Sequence, residues 1–116
     1  MSGRIKSSEF IKFDFWSSAA NQTKLDCSYS FQAQLPVDTD DKVLAILVLF
    51  QADSPDDIVH FHAQCRVVFD FSDLDELPNE DTFITGNYEA AYQEFCNRAN
   101  DALAALGQNP FDFHEI

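Results

Sequence analysis

Basic side chains are scarce in this sequence: seven Lys or Arg stand against twenty Asp or Glu, a formal net charge of -13. Binding to a nucleic-acid backbone rests on neutralising phosphates with cations, so the composition argues against that class of function. From Val67 onward the single basic residue is Arg98, against eleven acidic ones. Such acidity keeps copies of the chain apart in solution, and it also offers a patch to a basic partner. Glycine is rare as well. Gly3, Gly86 and Gly107 cannot build a Gly-rich phosphate loop, and neither GxSxG nor HExxH occurs. Three widely separated cysteines, Cys27, Cys65 and Cys96, form no CxxC pair. Their odd number points to reduced thiols in a cytoplasmic protein, with no disulfide frame. The longest apolar run, Val43 to Phe50, is less than half of a membrane span, so no membrane insertion is expected. Met1 to Ser8 carries two basic residues with no apolar run behind them, which is not a secretory signal.

Aromatic side chains are abundant instead. Twelve Phe within a hydrophobic fraction of 46% give ample core material for the one domain that 116 residues suggest. They leave rings over for a functional surface.

Hydrophobic periodicity gives four strands and a helix. Glu9 to Trp16 alternates, with Ile11, Phe13 and Phe15 on one face and Lys12 and Asp14 on the other. Lys24 to Leu35 alternates most cleanly: Leu25, Cys27, Tyr29, Phe31, Ala33 and Leu35 oppose Asp26, Ser28, Ser30, Gln32 and Gln34. Lys42 to Gln51 is apolar on both faces, and Ile58 to Phe71 alternates again with Val59, Phe61, Ala63, Cys65, Val67, Phe69 and Phe71 on one side. Ser72 to Gly86, acidic and interrupted by Pro78, reads as a linker with at most a helical turn. The period then changes. Tyr88, Tyr92, Phe95, Ala99, Ala102 and Leu106 form a helical stripe, with Asn87 as N-cap, Glu89 in the first turn and Gly107 as the C′ residue. About twenty residues make a rod of roughly 30 Å. The tail beyond Pro110, with Phe111, Phe113 and Ile116 alternating, is expected to pack as an extended segment.

The expected fold class is α+β: a four-stranded antiparallel sheet, read as a meander, with one long amphipathic helix packed on one face. One helix covers one face only, so the doubly apolar Lys42 to Gln51 strand calls for a second cover. A second copy of the chain is the economical one; shielding by the 72–86 segment is the alternative.

Chemistry-bearing motifs are sparse. His60-x-His62 places two imidazoles on one strand face, yet two ligands do not make a metal site, and His114, Asp56 and Asp57 are the evident candidates to complete it. Solvent-facing histidines are the ordinary reading, so no metal and no cofactor are expected. The cysteines fall on apolar faces where thiols are inert, so no catalytic residue and no enzyme activity are expected. Phe10 and Trp16 on the polar side of the first strand, Phe50 on the second face of the third, and Leu74, Leu77 and Phe83 in the linker together suggest a groove for apolar peptide segments.

The order of features, four antiparallel strands, an irregular crossover, one long helix and a Gly-x-x-Pro-x-x-Phe exit, resembles the SecB family of export chaperones and its shorter SecB-like relatives. The carrying residues are Val59 to Phe71 with its Phe-Asp-Phe end, Leu74 to Gly86, the segment Tyr92-Gln-Glu-Phe-Cys96 to Leu106, and Gly107 to Phe113. The resemblance covers roughly residues 9–113, and the expected organisation is a flexible N-terminus over residues 1–8 and a single SecB-like domain over 9–116. The resemblance implies an ATP-independent holdase for unfolded polypeptides, a dimer of dimers with helices inside and sheets outside, and a peptide groove lined by aromatic and aliphatic residues near the crossover; self-association as a dimer or tetramer is therefore expected. It also implies the translocation motor SecA as a partner, docking on an acidic sheet face; here that face carries His60, His62 and Arg66. The family's longer members also continue past the final Phe into a tail.

Three further readings stand beside a chaperone: an acidic decoy for a basic protein, a structural or assembly subunit without clients, and an enzyme or metal protein. If the crossover is the groove, replacing Phe83 and Leu77 with Ser weakens client binding without unfolding.

Overall fold

A computed structural model of the chain describes residues 4–17, 26–34, 42–54, 59–71, 78–108, 111 and 113. Its elements are β1 (Arg4–Ser17), β2 (Asp26–Gln34), β3 (Val43–Asp53), β4 (Val59–Asp70) and α1 (Glu80–Ala105). The fold is α+β, as expected: one antiparallel four-stranded sheet and one long helix.

Strand order is β1-β4-β3-β2, and every neighbouring pair is antiparallel. The sheet is therefore not the simple meander expected. β2, β3 and β4 form one, and β1 returns beside β4 in a Greek-key arrangement. β1 also begins at Arg4, well ahead of Glu9, so residues 4–8 are paired with β4 where a flexible lead was expected.

β1 carries two register irregularities against β4, between Ile5 and Ser7 and between Phe10 and Lys12. Each inserts one residue, and an inserted residue reverses the alternation that follows. Phe10 opposite Cys65 and Phe13 opposite Ala63 consequently share the helix-facing side with Phe15, while Ile11 is 54% exposed. The sequence pattern put Ile11 inside and Phe10 outside; the bulge swaps them.

On the helix-facing side, Leu44, Ile46, Val48, Phe50 and Ala52 of β3 join Phe61, Ala63, Cys65, Val67 and Phe69 of β4 in the core. α1 closes it with Phe83, Ala91, Tyr92, Phe95, Ala99 and Leu103. Phe111 and Phe113 complete it, their rings 4.8 Å apart and both on Phe50 and Phe61. Asn100 fixes that tail: its Oδ1 accepts from the Phe111 amide at 2.8 Å and its Nδ2 donates to the Phe111 carbonyl at 3.4 Å.

The helix starts at Glu80 and has 26 residues, about 39 Å. Its N-cap is Asn79, whose side chain accepts from the Thr82 amide at 2.8 Å, and Glu80 and Asp81 occupy the positive first turn. Asn87, expected as the cap, lies inside the helix and is buried, with Nδ2 donating to the Phe83 carbonyl at 2.8 Å. The expected end holds. Gly107 has φ 76°, Gln108 N–H donates to the Leu103 carbonyl and Gly107 N–H to the Ala104 carbonyl, a Schellman motif. Leu106, however, is 63% exposed; Leu103 takes the buried position.

The second face of β3 asks less of a partner than its sequence suggests. Ala45 and Leu47 are already buried, Leu47 at 8%. The register sets Leu47 between Gln32 and Arg66, and Ala45 between Gln34 and Val68, so longer flanking side chains stand over them.

Candidate functional site

Among the described residues, the four expected to line a groove, Phe10, Trp16, Phe50 and Phe83, do not share one accessible surface. Phe50 is buried under the helix, in ring contact with Phe61, Phe95, Phe111 and Phe113, because its alternation with Ile46 and Val48 points it at α1. Phe83 belongs to the first turn and a half of α1, fully buried between Phe69 and Phe71 with centroids at 5.7 and 5.6 Å. Phe10 packs inward on Phe13 and Phe95. Trp16 does lie on the outer face, 44% exposed and stacked on His60. Leu74 and Leu77 lie outside the described residues, as do Leu25 and Leu35. Phe50 and Phe83 are thus core residues in this fold.

A different set of aromatic residues gathers at the β2 edge, with Tyr29, Phe31 and Tyr88 reaching the surface over the buried Tyr92. Tyr29 and Phe31 of β2 meet Tyr88 and Tyr92 of α1, which lie one turn apart on the helix. Ring centroids are at 4.9 Å for Tyr29–Tyr92, 5.7 Å for Phe31–Tyr88 and 5.9 Å for Tyr29–Phe31. Tyr29 is 36% exposed, and Phe31 and Tyr88 are half-buried. β2 is an edge strand with an unbroken register to β3, so one side of its backbone has no partner strand among the described residues. Periodicity assigns these residues their faces but carries no sign that they stand at an edge, because strand order leaves no mark in it.

The buried Tyr92 hydroxyl has no hydrogen-bond partner among the described residues. Burial raises its pKa, and the Cys96 thiol beside it raises it further. Burial likewise pushes the Cys65 and Cys96 thiols up to about 11, and Cys27 upward, which fits inert thiols. Cys65 points into the core, away from His60 and His62, so these groups form no nucleophilic pair.

The outer face concentrates its polar chemistry at one end. His60 stands directly across from Asp53 of β3 and from Trp16 of β1; His62 stands across from Asp14. Asp53 Oδ1 is 3.1 Å from His60 Nδ1 and 3.0 Å from His62 Nε2, Asp53 Oδ2 is 2.9 Å from His62 Nε2, and Asp14 Oδ2 is 3.1 Å from His60 Nε2. The two imidazoles stack at 4.0 Å. The hydrogen bond from His62 holds the Asp53 carboxyl below its usual range. Asp53 was absent from the sequence-based ligand candidates; the hairpin closed by Ser54 and Val59 brings it opposite His60. Asp56, Asp57 and His114 lie outside the described residues. A shallow depression of about 380 Å³ adjoins His62, lined by Lys12, Ser28, Gln51 and Gln64 among others. Further along, Arg66 pairs with Glu9 at 3.5 Å.

No helix among the described residues is long and apolar enough to cross a membrane. No protein-family model matches the chain, and no curated protein matches it. Among solved structures, the SecB-like chaperone Rv1957 of Mycobacterium tuberculosis, in complex with a ChAD peptide from the HigA1 antitoxin Rv1956, is similar with a TM-score of 0.64. That similarity spans 98% of this chain and 89% of the other at 14% identity. It extends the SecB-like resemblance to the fold of the whole chain.

Proposed function

We propose that this protein is an ATP-independent, chaperone-like binder of unfolded polypeptides that receives extended apolar segments along the β2 edge. The observation carrying this reading is the aromatic strip Tyr29, Phe31 and Tyr88, floored by the buried Tyr92, beside an unpaired, regular strand. An added strand gains main-chain hydrogen bonds from the edge, and every second side chain rests on the rings. Unfolded chains supply both features and most folded ones supply neither. The fold shared with a peptide-bound SecB-like chaperone supports it.

Self-association into a dimer or tetramer is part of the same reading, supported by apolar side chains left at the surface, Ile11 and Leu106 foremost. A cytoplasmic location accords with the free thiols of Cys27, Cys65 and Cys96. Coupling to the export motor SecA is not part of it: on the outer face His60, His62 and Arg66 each contact an acidic side chain, which leaves a poor acidic dock.

The test compares binding of one polypeptide in its unfolded and its native form, at low and high salt. The expected result is a preference for the unfolded form that persists at high salt, because apolar burial at about 25 cal/mol per Å² is not screened. The paired substitution Tyr29→Ser and Tyr88→Ser is expected to weaken it about tenfold or more. Absence of preference would overturn the reading. Binding that collapses with salt would instead identify an acidic decoy, since exposed charges are screened beyond about 10 Å at 0.1 M.

A further inference from the structure

The geometry points to a divalent transition-metal site on the outer sheet face, with Asp53, His60 Nδ1 and His62 Nε2 as ligands and Asp14 supporting His60 from behind. The site is independent of the polypeptide-binding strip, which lies on the other side of the sheet.

The placement comes from the backbone. Residues two apart on a strand point the same way, so His60 and His62 rise together, and the β3–β4 register puts Asp53 beside both. One ligand atom from each of the three lies within 4.8 Å of the other two. The Asp53 oxygens already stand 2.9 to 3.1 Å from both imidazole nitrogens. An ion bound at about 2.0–2.2 Å to tetrahedral ligands holds them about 3.3 Å apart, close to the present carboxylate spacing, and binding requires the His62 ring, now 18° from parallel with His60, to turn until both ring planes meet at the ion.

The donor set selects the ion. Two imidazoles and one carboxylate suit Zn²⁺ and its neighbours Co²⁺, Ni²⁺ and Cu²⁺, whereas Ca²⁺ and Mg²⁺ require oxygen shells. Asp14 makes the arrangement more than three neighbours. With Nδ1 on the ion, the other nitrogen of His60 keeps its proton and donates it to Asp14, now 3.1 Å away, which fixes the tautomer and ring plane. Trp16 stacks on the same ring at 6.1 Å with planes 12° apart, limiting its rotation. The side chains are about one quarter to one half exposed. The remaining coordination positions therefore face solvent, open to water.

The single tryptophan makes the test direct. The full-length chain is freed of metal with a chelator and titrated with Co²⁺ and Ni²⁺, following Trp16 fluorescence and the visible cobalt spectrum, and with Zn²⁺ by calorimetry. The expected result is saturation at one ion per chain with quenching of Trp16, a cobalt spectrum without thiolate charge transfer, and a chelator-reversible rise in Tm. Asp53→Asn and His62→Ala should abolish saturation in the same range. Asp14→Asn should weaken it by about 10- to 100-fold, as removal of a supporting carboxylate does. No saturable binding would overturn the proposal, as would binding that survives Asp53→Asn and His62→Ala or shows thiolate bands from the cysteines. Asp53→Asn preserves side-chain volume, so it reports on the site even if His62→Ala folds poorly.

Discussion

Phe83 and Tyr92 show how burial decides what a side chain does. Both are apolar-stripe residues of α1, yet one fills the core without remainder and the other carries a hydroxyl into it. Phe83 is fully buried against Phe69 and Phe71, so Phe83→Ser creates a cavity and strands a new hydroxyl. The expected loss is about 3–5 kcal/mol, seen as a lower urea midpoint, so folding fails before any effect on client binding can be read. Tyr92→Phe should do the reverse. Its hydroxyl has no hydrogen-bond partner among the described residues, so removing it is expected to leave stability unchanged or raise it by about 1 kcal/mol in the same assay. The thiols give a pH dependence of definite sign. An unfolded thiol ionises near 9.0, whereas folded Cys65 and Cys96 hold their protons to about 11. Above 9 the unfolded state therefore binds fewer protons, and stability should be complete below 9 and fall as pH rises from 9 toward 11. Urea midpoints between pH 8 and 10.5 check this, and Cys65→Ala should reduce the slope.

At the scale of elements, what sequence pattern conveyed was facing, and what it missed was insertion and order. β2, β3 and β4 follow a strict period of two, so Cys27, Phe31, Phe61 and Cys65 fall on the side the alternation assigns. β1 breaks the period at two bulges, and a single inserted residue moves Phe10 inward and Ile11 outward. The helix start was hidden because Pro78 and the acids before it look like a linker, although Asn79 caps and Glu80 and Asp81 suit the first turn. The buried stripe, Phe83, Asn87, Ala91, Phe95, Ala99 and Leu103, recurs every fourth residue and turns about 40° at each step. Such a stripe winds around the helix to follow a twisted sheet, which displaced the expected Tyr88, Ala102 and Leu106 seam. Two glycines test this helix in opposite directions. Gly86 is exposed in its interior, so Gly86→Ala should stabilise by about 0.5–1 kcal/mol. Gly107 needs its positive φ, so Gly107→Ala should destabilise by about 1 kcal/mol although a Cβ there meets nothing within 4 Å. Opposite shifts in Tm would confirm both ends of the assignment.

At the scale of the whole molecule, the two sheet edges are unlike, and the difference directs where another chain can join. β1 is long but bulged twice, with Lys6, Glu9, Lys12 and Asp14 along it, features that blunt pairing. β2 is regular, carries no charge between Cys27 and Gln34, and has the aromatic strip on its inner side. These edge properties follow from strand order, which is why the strip was invisible while its members were already assigned to apolar faces. If an unfolded client adds a strand at β2, hydrogen exchange should show new protection at the outward-pointing amides of β2 and none along β1. The Tyr29→Ser and Tyr88→Ser variant should lose that protection while β3 and β4 keep theirs, which separates a damaged strip from a damaged sheet. Protection appearing on β1, or spread evenly over the sheet, would place the binding surface elsewhere and turn the β2 strip into ordinary edge packing.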